Sequence, residues 1–301
     1  MTKNIAENIK AQVNTKVLNQ EATTELALTA LLAGGHILLT GPTGLGKTQW
    51  ARAFAGALGV GYSRTRFTED NHPYEIFGTP AGDYENSQGG LRWGTMYSNV
   101  FHGDEIGNAH SNVHTALMDA MEYGKQNLSA EGNANNLPEP FFVIATCTEI
   151  HNLPEALTDR FMMKLPASYP GVAAEKQILQ MHHEQTAANQ GLQPVCTPED
   201  IAQARQEVRA VAVEDAIFNY IISIVETTRR VGAVRTGVSP RGSIALLLAS
   251  KAYAVVKGRD YVTMDDVRGL AVPVLRHRVK LKPEAIKEGV QPDHIIESII
   301  A

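Results

Sequence analysis

The residues best suited to chemistry stand in one short stretch, Gly41-Pro42-Thr43-Gly44-Leu45-Gly46-Lys47-Thr48. Its spacing is that of G-x-x-x-x-G-K-[ST], a loop that cradles the phosphates of a nucleoside triphosphate. The glycines at 41, 44 and 46 let the backbone turn so that successive N–H groups point at phosphate oxygens. A helix starting where the loop ends adds its positive N-terminal end. Lys47 is then expected on the β- and γ-phosphates of ATP, and the Thr48 hydroxyl on Mg2+. Gln49, the next residue, completes the expected nucleotide-binding stretch.

A second group is Asp104-Glu105, which follows the short, mostly apolar run Asn99–Gly103. Asp104 is expected to hold Mg2+ through water, and Glu105 to orient and polarise the attacking water. Adjacent acids are common on surfaces. Their place after a buried-type strand, downstream of a phosphate loop, sets this pair apart. His102-Gly103 is less apolar than a central strand should be. His110 and His114 share one helix face at i, i+4, as two metal ligands can. A zinc hydrolase would need Glu where Ser111 stands, and no third ligand accompanies them, so both are read as polar helix surface. Cys147 is read as a small core residue.

The elements that must position these groups alternate in the first half of the chain. His36–Thr40 is a strand running into the loop, and Thr48–Leu58 is the helix leaving it. Val60–Phe67, Asn99–Gly103, Phe141–Thr146 and Phe161–Leu165 are further strands, and Phe141–Thr146 is apolar throughout, as in a strand buried on both faces. Thr23–Ala33 is a helix apolar nearly all round, and Val113, Ala116, Leu117, Ala120 and Met121 mark another with one apolar face. Strands alternating with helices predict an α/β fold, a mainly parallel sheet with helices on both faces. Pro73–Gly94 and Ser129–Pro138, rich in Gly and Asn, read as insertions. Beyond Tyr169-Pro170-Gly171 the pattern is helical: Thr197-Pro198-Glu199-Asp200, Ser239-Pro240 and Thr263-Met264-Asp265-Asp266 are helix starts. The expected division is 1–170 for the nucleotide-binding α/β domain and 171–301 for a smaller all-helical lid domain.

Composition excludes several classes. With 44% hydrophobic and 20% charged residues the chain is globular rather than disordered. A net charge of −5 offers no general basic field, so nucleic acid is not an expected partner. Two cysteines give neither a disulfide framework nor zinc spacing. Met1–Gln20 carries no apolar signal core, and no stretch reaches the ~20 apolar residues of a membrane span. A cytoplasmic location is expected.

Taken in order, the segments resemble a MoxR-type AAA+ ATPase over nearly the whole length. The resemblance is carried by Leu31–His36, the Gly41–Thr48 loop, Asp104-Glu105-Ile106, Ala116–Glu122, Leu137–Thr146, Leu153–Ala156, Asp159-Arg160-Phe161, Ser239-Pro240-Arg241, Gly258–Thr263 and Pro273–Arg278. It implies a P-loop AAA+ core with a lid, and a ring, most often a hexamer, that hydrolyses ATP to remodel or activate a partner in a chaperone-like way. The usual partner is a protein with a von Willebrand factor A domain. Thr148 stands where the family has its sensor-1 asparagine; a hydroxyl there can donate to the γ-phosphate or orient water, with less reach. Arg160 resembles the arginine finger that reaches a neighbouring subunit's γ-phosphate, and Arg241 resembles sensor 2. Independently, Ser239-Pro240 sets Arg241 in the first turn of a helix, from which a guanidinium could span to phosphate oxygens. The segments around His72–Gly94 and Gly124–Pro138 resemble the helix-2 insertion and the pre-sensor-1 hairpin. Tyr74, Ile76, Phe77, Leu91 and Trp93 are either grips for a partner or plugs beneath long loops. Gly107-Asn108 and Cys147-Thr148-Glu149 depart from the family's usual Asn-Arg and Gln-Asn-Pro. Those departures leave open a slow nucleotide-dependent switch or scaffold; a nucleic-acid motor is disfavoured by the acidic balance.

Overall fold

The computed structural model describes residues 2–68, 71–81, 90–127, 134–148, 153–183 and 192–301. Its strands are, in chain order, β1 (Ile37–Thr40), β2 (Tyr62–Arg66), β3 (Gly78–Ala81), β4 (Gly90–Trp93), β5 (Val100–Asp104), β6 (Lys125–Asn127), β7 (Ala134–Asn136), β8 (Phe142–Cys147), β9 (Met163–Pro166), β10 (Val234–Thr236) and β11 (Lys280–Leu281). Five of them form a parallel sheet in the order β2-β5-β8-β1-β9. The expected α/β class and its parallel sheet are what the chain adopts.

Alternation along the central strands explains why the sheet is covered twice. Ile37 and Leu39 of β1, with Phe142 and Ile144 of β8, join one apolar layer. Leu38, Val143, Ala145 and Cys147 point the other way into a second layer. The first layer is closed by helix Lys47–Leu58, whose Trp50 and Phe54 stack at 5.3 Å, and by helix Glu21–Leu32. The second is closed by helices Ser111–Tyr123 and Glu155–Arg160. Each fully buried aromatic of this kind contributes about 1.5–3 kcal/mol over its exposed state.

Helix Thr2–Asn14, which sequence reasoning passed over, buries Ala6, Ile9 and Val13 against the same first layer. The insertion Pro73–Gly94 is partly core: Ile76 and Phe77, on the short helix Pro73–Phe77, are buried in the second layer. Strands β3–β4 and β6–β7 pair as antiparallel hairpins within the two insertions. Residues 82–89 and 128–133 of those insertions, the Leu91 side chain and Glu149 lie outside the described residues.

The second half is a helical lid region built from Pro198–Ala210, Asp215–Arg230, Pro240–Val256, Met264–Leu275 and Pro292–Ile300, with a small β10–β11 ribbon that the all-helical expectation lacked. Thr197 with Asp200, and Thr263 with Asp266, form reciprocal capping boxes as their sequences suggest. Lid residues such as Ile221, Leu246, Val267 and Val274 are continuous with the sheet's first apolar layer. Among the described residues no helix is long and apolar enough to cross a membrane.

Candidate functional site

The loop Gly41–Gly46 leaves the carboxyl end of β1, an edge of the sheet where ligands of open α/β folds collect. Gly41, Gly44 and Gly46 have φ of 144°, 87° and 76°, in the region that favours glycine. A Cβ on Gly41 would also meet the Ala167 carbonyl oxygen at 2.5 Å. Helix Lys47–Leu58 starts directly after Gly46. Lys47 is buried, and its Nζ donates to the carbonyl oxygens of Gly41 at 2.5 Å and Pro42 at 2.8 Å, inside the curve of the loop. Beside it opens a cavity of about 400 Å³, lined by Thr43 to Gly46 and Gln49 on one side and by Val17, Leu18 and Tyr169 on the other. Gln49 Nε2 donates to the Lys16 carbonyl at 3.2 Å, which ties the N-terminal segment to the loop's helix.

Asp104 ends β5 next to this loop. Thr48 and Asp104, 56 positions apart, approach to 3.5 Å between Oγ1 and Oδ2. Thr146 on β8, fully buried, donates its hydroxyl to Asp104 Oδ1 at 2.6 Å and accepts the Glu105 N–H at 3.1 Å, so one side chain orients both acids. Arg64 on β2 donates to Asp104 Oδ2 through Nε at 3.1 Å and more closely through Nη2. Burial alone would raise the Asp104 pKa; the bonds from Thr146 and Arg64 outweigh it and hold the carboxyl below its ordinary value. Glu105 has φ 56° and ψ 51°, a left-handed backbone that costs a non-glycine residue about 1–3 kcal/mol. That turn swings its side chain toward Thr148, whose N–H and hydroxyl donate to the carboxylate at 3.3 and 3.2 Å.

The discordant His102-Gly103 has a packing reason. His102 is fully buried, bonded through Nδ1 to the Tyr62 hydroxyl at 2.9 Å, and burial pushes its pKa down to about 4. A Cβ on Gly103 would crowd the Phe67 ring at 3.1 Å.

Arg160 and Arg241 come together elsewhere. Arg160, at the end of helix Glu155–Arg160, pairs with Glu122 of helix Ser111–Tyr123. Arg241, in the first turn of Pro240–Val256, lies 3.9 Å from the same Glu122 and 3.9 Å from Asp159. Arg278 fixes the segment on either side of Arg160. Its guanidinium, itself buried, donates to Asp159 Oδ1 at 3.0 Å and to the Asp159, Phe161 and Met162 carbonyls at 2.9, 2.8 and 3.1 Å. His277 adds a contact of 2.9 Å to the Phe161 carbonyl.

Residues 36–163 match the family model of the ATPase family associated with various cellular activities (AAA), and residues 226–299 match the AAA lid domain. The uncharacterized protein YeaC of Bacillus subtilis is 39% identical over 92% of this chain and 87% of its own length. Chaperone MoxR1 of Mycobacterium tuberculosis is 30% identical over 98% of this chain and 83% of its own. The chain belongs to the MoxR family of AAA ATPases. A crystal structure of a candidate ATPase from Cytophaga hutchinsonii superposes with a TM-score of 0.89 at 28% identity, covering 99% of this chain and 94% of that one.

For a MoxR-family chain the donor set of Thr48 hydroxyl and Asp104 carboxylate is chemically suited to Mg2+, a hard cation that takes oxygen ligands and shares them with substrate phosphates. Sequence reasoning missed Arg64, Thr146, Glu122 and Arg278 as members of these clusters. Arg64 gives no local signal, whereas Thr146, Glu122 and Arg278 lay within segments already singled out. His114, expected on a polar surface, is instead buried, with Nε2 2.9 Å from the Ile106 carbonyl. It braces the turn after Glu105. Cys147 is core as expected, its thiol pushed up to about 11 chiefly by burial. Of the candidate grips, Tyr74 and Trp93 remain 54% and 43% exposed while Ile76 and Phe77 are core.

Proposed function

We propose that this MoxR-family chain hydrolyses ATP with Mg2+ and, as a hexameric ring, uses the cycle to remodel or activate a protein partner. The observation that carries the reading is the convergence of Thr48 with Asp104, and of Glu105 with Thr148, at the mouth of the Gly41–Thr48 loop. Residues 41–49 hold the nucleotide: loop N–H groups and the Lys47 ammonium face its phosphates. Lys47 exchanges its bonds to the Gly41 and Pro42 carbonyls for phosphate oxygens without leaving the loop. Thr48 and Asp104 hold Mg2+, which supplies neutralisation of charge on the β- and γ-phosphates. Glu105 takes the proton of the attacking water, and Thr148 sets the angle of its carboxylate. Arg160 serves the site of the next subunit, and Arg241, which shares Glu122 with it, serves it too. We place the division between nucleotide-binding domain and lid near residue 170, and the protein in the cytoplasm. A von Willebrand factor A domain protein is the partner class to test first.

Steady-state ATPase measurement tests this, with Lys47→Ala as the background and with DNA, RNA or a candidate partner added. The expected result is Mg2+-dependent turnover, raised by the protein partner and indifferent to nucleic acid. A slow nucleotide-dependent switch is the second reading, favoured by the occupation of the Thr148 hydroxyl by Glu105. Tight ATP binding with turnover no higher than in Lys47→Ala would establish it.

A further inference from the structure

Asp104 has a cationic neighbour that no nucleotide-binding motif requires. In the parallel register of β2 and β5, Arg64 lies opposite His102 and Arg66 opposite Asp104. From that position Arg64 reaches forward, and two of its N–H groups converge on Asp104 Oδ2. Oδ2 is also the oxygen that faces Thr48 at 3.5 Å, whereas Oδ1 is committed to Thr146. The guanidinium therefore neutralises the very oxygen that a cation between Thr48 and Asp104 would use. Arginine stays charged at every pH the protein meets, so it cannot yield by losing a proton. At hydrogen-bond distance, well inside a Debye length of ~8 Å, salt screens the attraction between Arg64 and Asp104 little. Arg64 does have somewhere to go: β2 is an edge strand and the side chain is 36% exposed.

We propose that Arg64 is a built-in competitor of the divalent cation at Asp104. Asp104 exchanges the guanidinium for the cation that arrives with nucleotide, and the strength of the Arg64 pair sets how much cation the site requires. The inference rests on the metal-site reading of Thr48 and Asp104. Arg64 is thus a positioning residue with a regulatory effect, outside the catalytic set.

The test measures cation binding without turnover. Mn2+ is titrated into the full chain saturated with a non-hydrolysable ATP analogue, and free Mn2+ is read from its electron paramagnetic resonance signal. An adjacent unit charge shifts a carboxylate's proton affinity by about 1–3 pKa units, so Arg64→Gln should lower half-saturating Mn2+ by roughly tenfold or more. Arg64→Lys keeps a charge there and should stay near wild type. Analogue affinity measured without divalent cation should be equal across the set, which shows that fold and loop persist. If Arg64→Gln binds Mn2+ no more tightly than wild type while Asp104→Asn binds it poorly, competition is overturned and the metal site stands. If Asp104→Asn leaves Mn2+ binding unchanged, the metal-site reading falls and the inference with it.

Discussion

Thr148 donates both its backbone amide and its hydroxyl to the Glu105 carboxylate, so this threonine and the candidate base form one hydrogen-bonded unit. Thr148 stands one residue past the end of β8, and its hydroxyl lies within 3.3 Å of both Glu105 carboxylate oxygens. A hydrogen bond to a charged group contributes about 1.5–3 kcal/mol. Thr148→Val removes the hydroxyl but keeps the shape and the amide. It should lower kcat about tenfold, the kinetic equivalent of ~1.4 kcal/mol, with ATP affinity unchanged. A rise in kcat would mean instead that Thr148 restrains Glu105.

Glu105→Gln keeps the size of the side chain and removes its ability to accept a proton. Thr146 bonds to the backbone N–H at this position, not to the side chain, so the left-handed turn should survive the change. Turnover should fall by about 10² or more, the usual contribution of a positioned general base. Calorimetry should find ATP and Mg2+ bound as in wild type. Turnover within a few-fold of wild type would place the base on another residue.

His36 gives the fold a pH dependence with a definite sign. The Val143 N–H donates to its Nδ1 at 3.0 Å, which assigns the proton to Nε2, 3.2 Å from the Met121 carbonyl. A proton on Nδ1 would set two donors against each other. Burial, foremost, pushes the His36 pKa from 6.5 to about 4, and His277 is lowered too, again chiefly by burial. Between those values the unfolded chain binds more protons than the folded one, so stability falls as pH drops from about 6.5 toward 4. Urea denaturation at pH 7 and pH 5 should show a lower midpoint at pH 5. His36→Gln should be less stable at pH 7 yet show a shallower dependence. Equal wild-type midpoints at the two pH values would contradict the neutral, buried imidazole.

What could be read without coordinates was whatever depends on local backbone demands. Gly41, Gly44 and Gly46 advertise positive φ, and an acid pair at the end of an apolar run advertises a strand edge. The unforeseen contacts join residues far apart in sequence, and their types are ordinary. Arg64 meets Asp104 across 40 positions, and Arg278 meets Asp159 across 119. Nothing local to Glu122 announces that it sits under two arginines. Helix Thr2–Asn14 escaped because its polar majority hides Ala6, Ile9 and Val13, whose spacing gives only a narrow apolar stripe. The insertion around Pro73 left two readings open for its apolar residues, and burial decides between them: Ile76 and Phe77 are core plugs, whereas Tyr74 and Trp93 stay exposed.

Arg160 and Arg241 share Glu122, and this predicts that they act together and on the same neighbour. A guanidinium arriving from the next subunit stabilises charge spreading over the γ-phosphoryl oxygens in a closed site. Fingers of this kind contribute roughly 10³–10⁵ in rate. Arg160→Ala should therefore bind ATP normally and hydrolyse it slowly, and Arg241→Ala should behave likewise with a smaller loss. Lys47→Ala should fail for the opposite reason, through its own cradle. Mixing Arg160→Ala with Lys47→Ala protein creates interfaces that pair an intact cradle with an intact finger, so part of the lost activity should return. Arg241→Ala mixed with Lys47→Ala should recover in the same way if Arg241 reaches across the interface. If Arg241 served its own subunit's nucleotide, that mixture would place both defects at separate sites without restoring a cradle that has its own Arg241, and no recovery would follow. Arg160→Ala mixed with Arg241→Ala separates the cases further. Acting across one interface, both residues come from a single subunit, and no mixed interface contains the two intact. Tagging one partner and recovering the other confirms that subunits exchanged. Recovery in that last mixture would show that the two arginines serve different sites despite their common carboxylate.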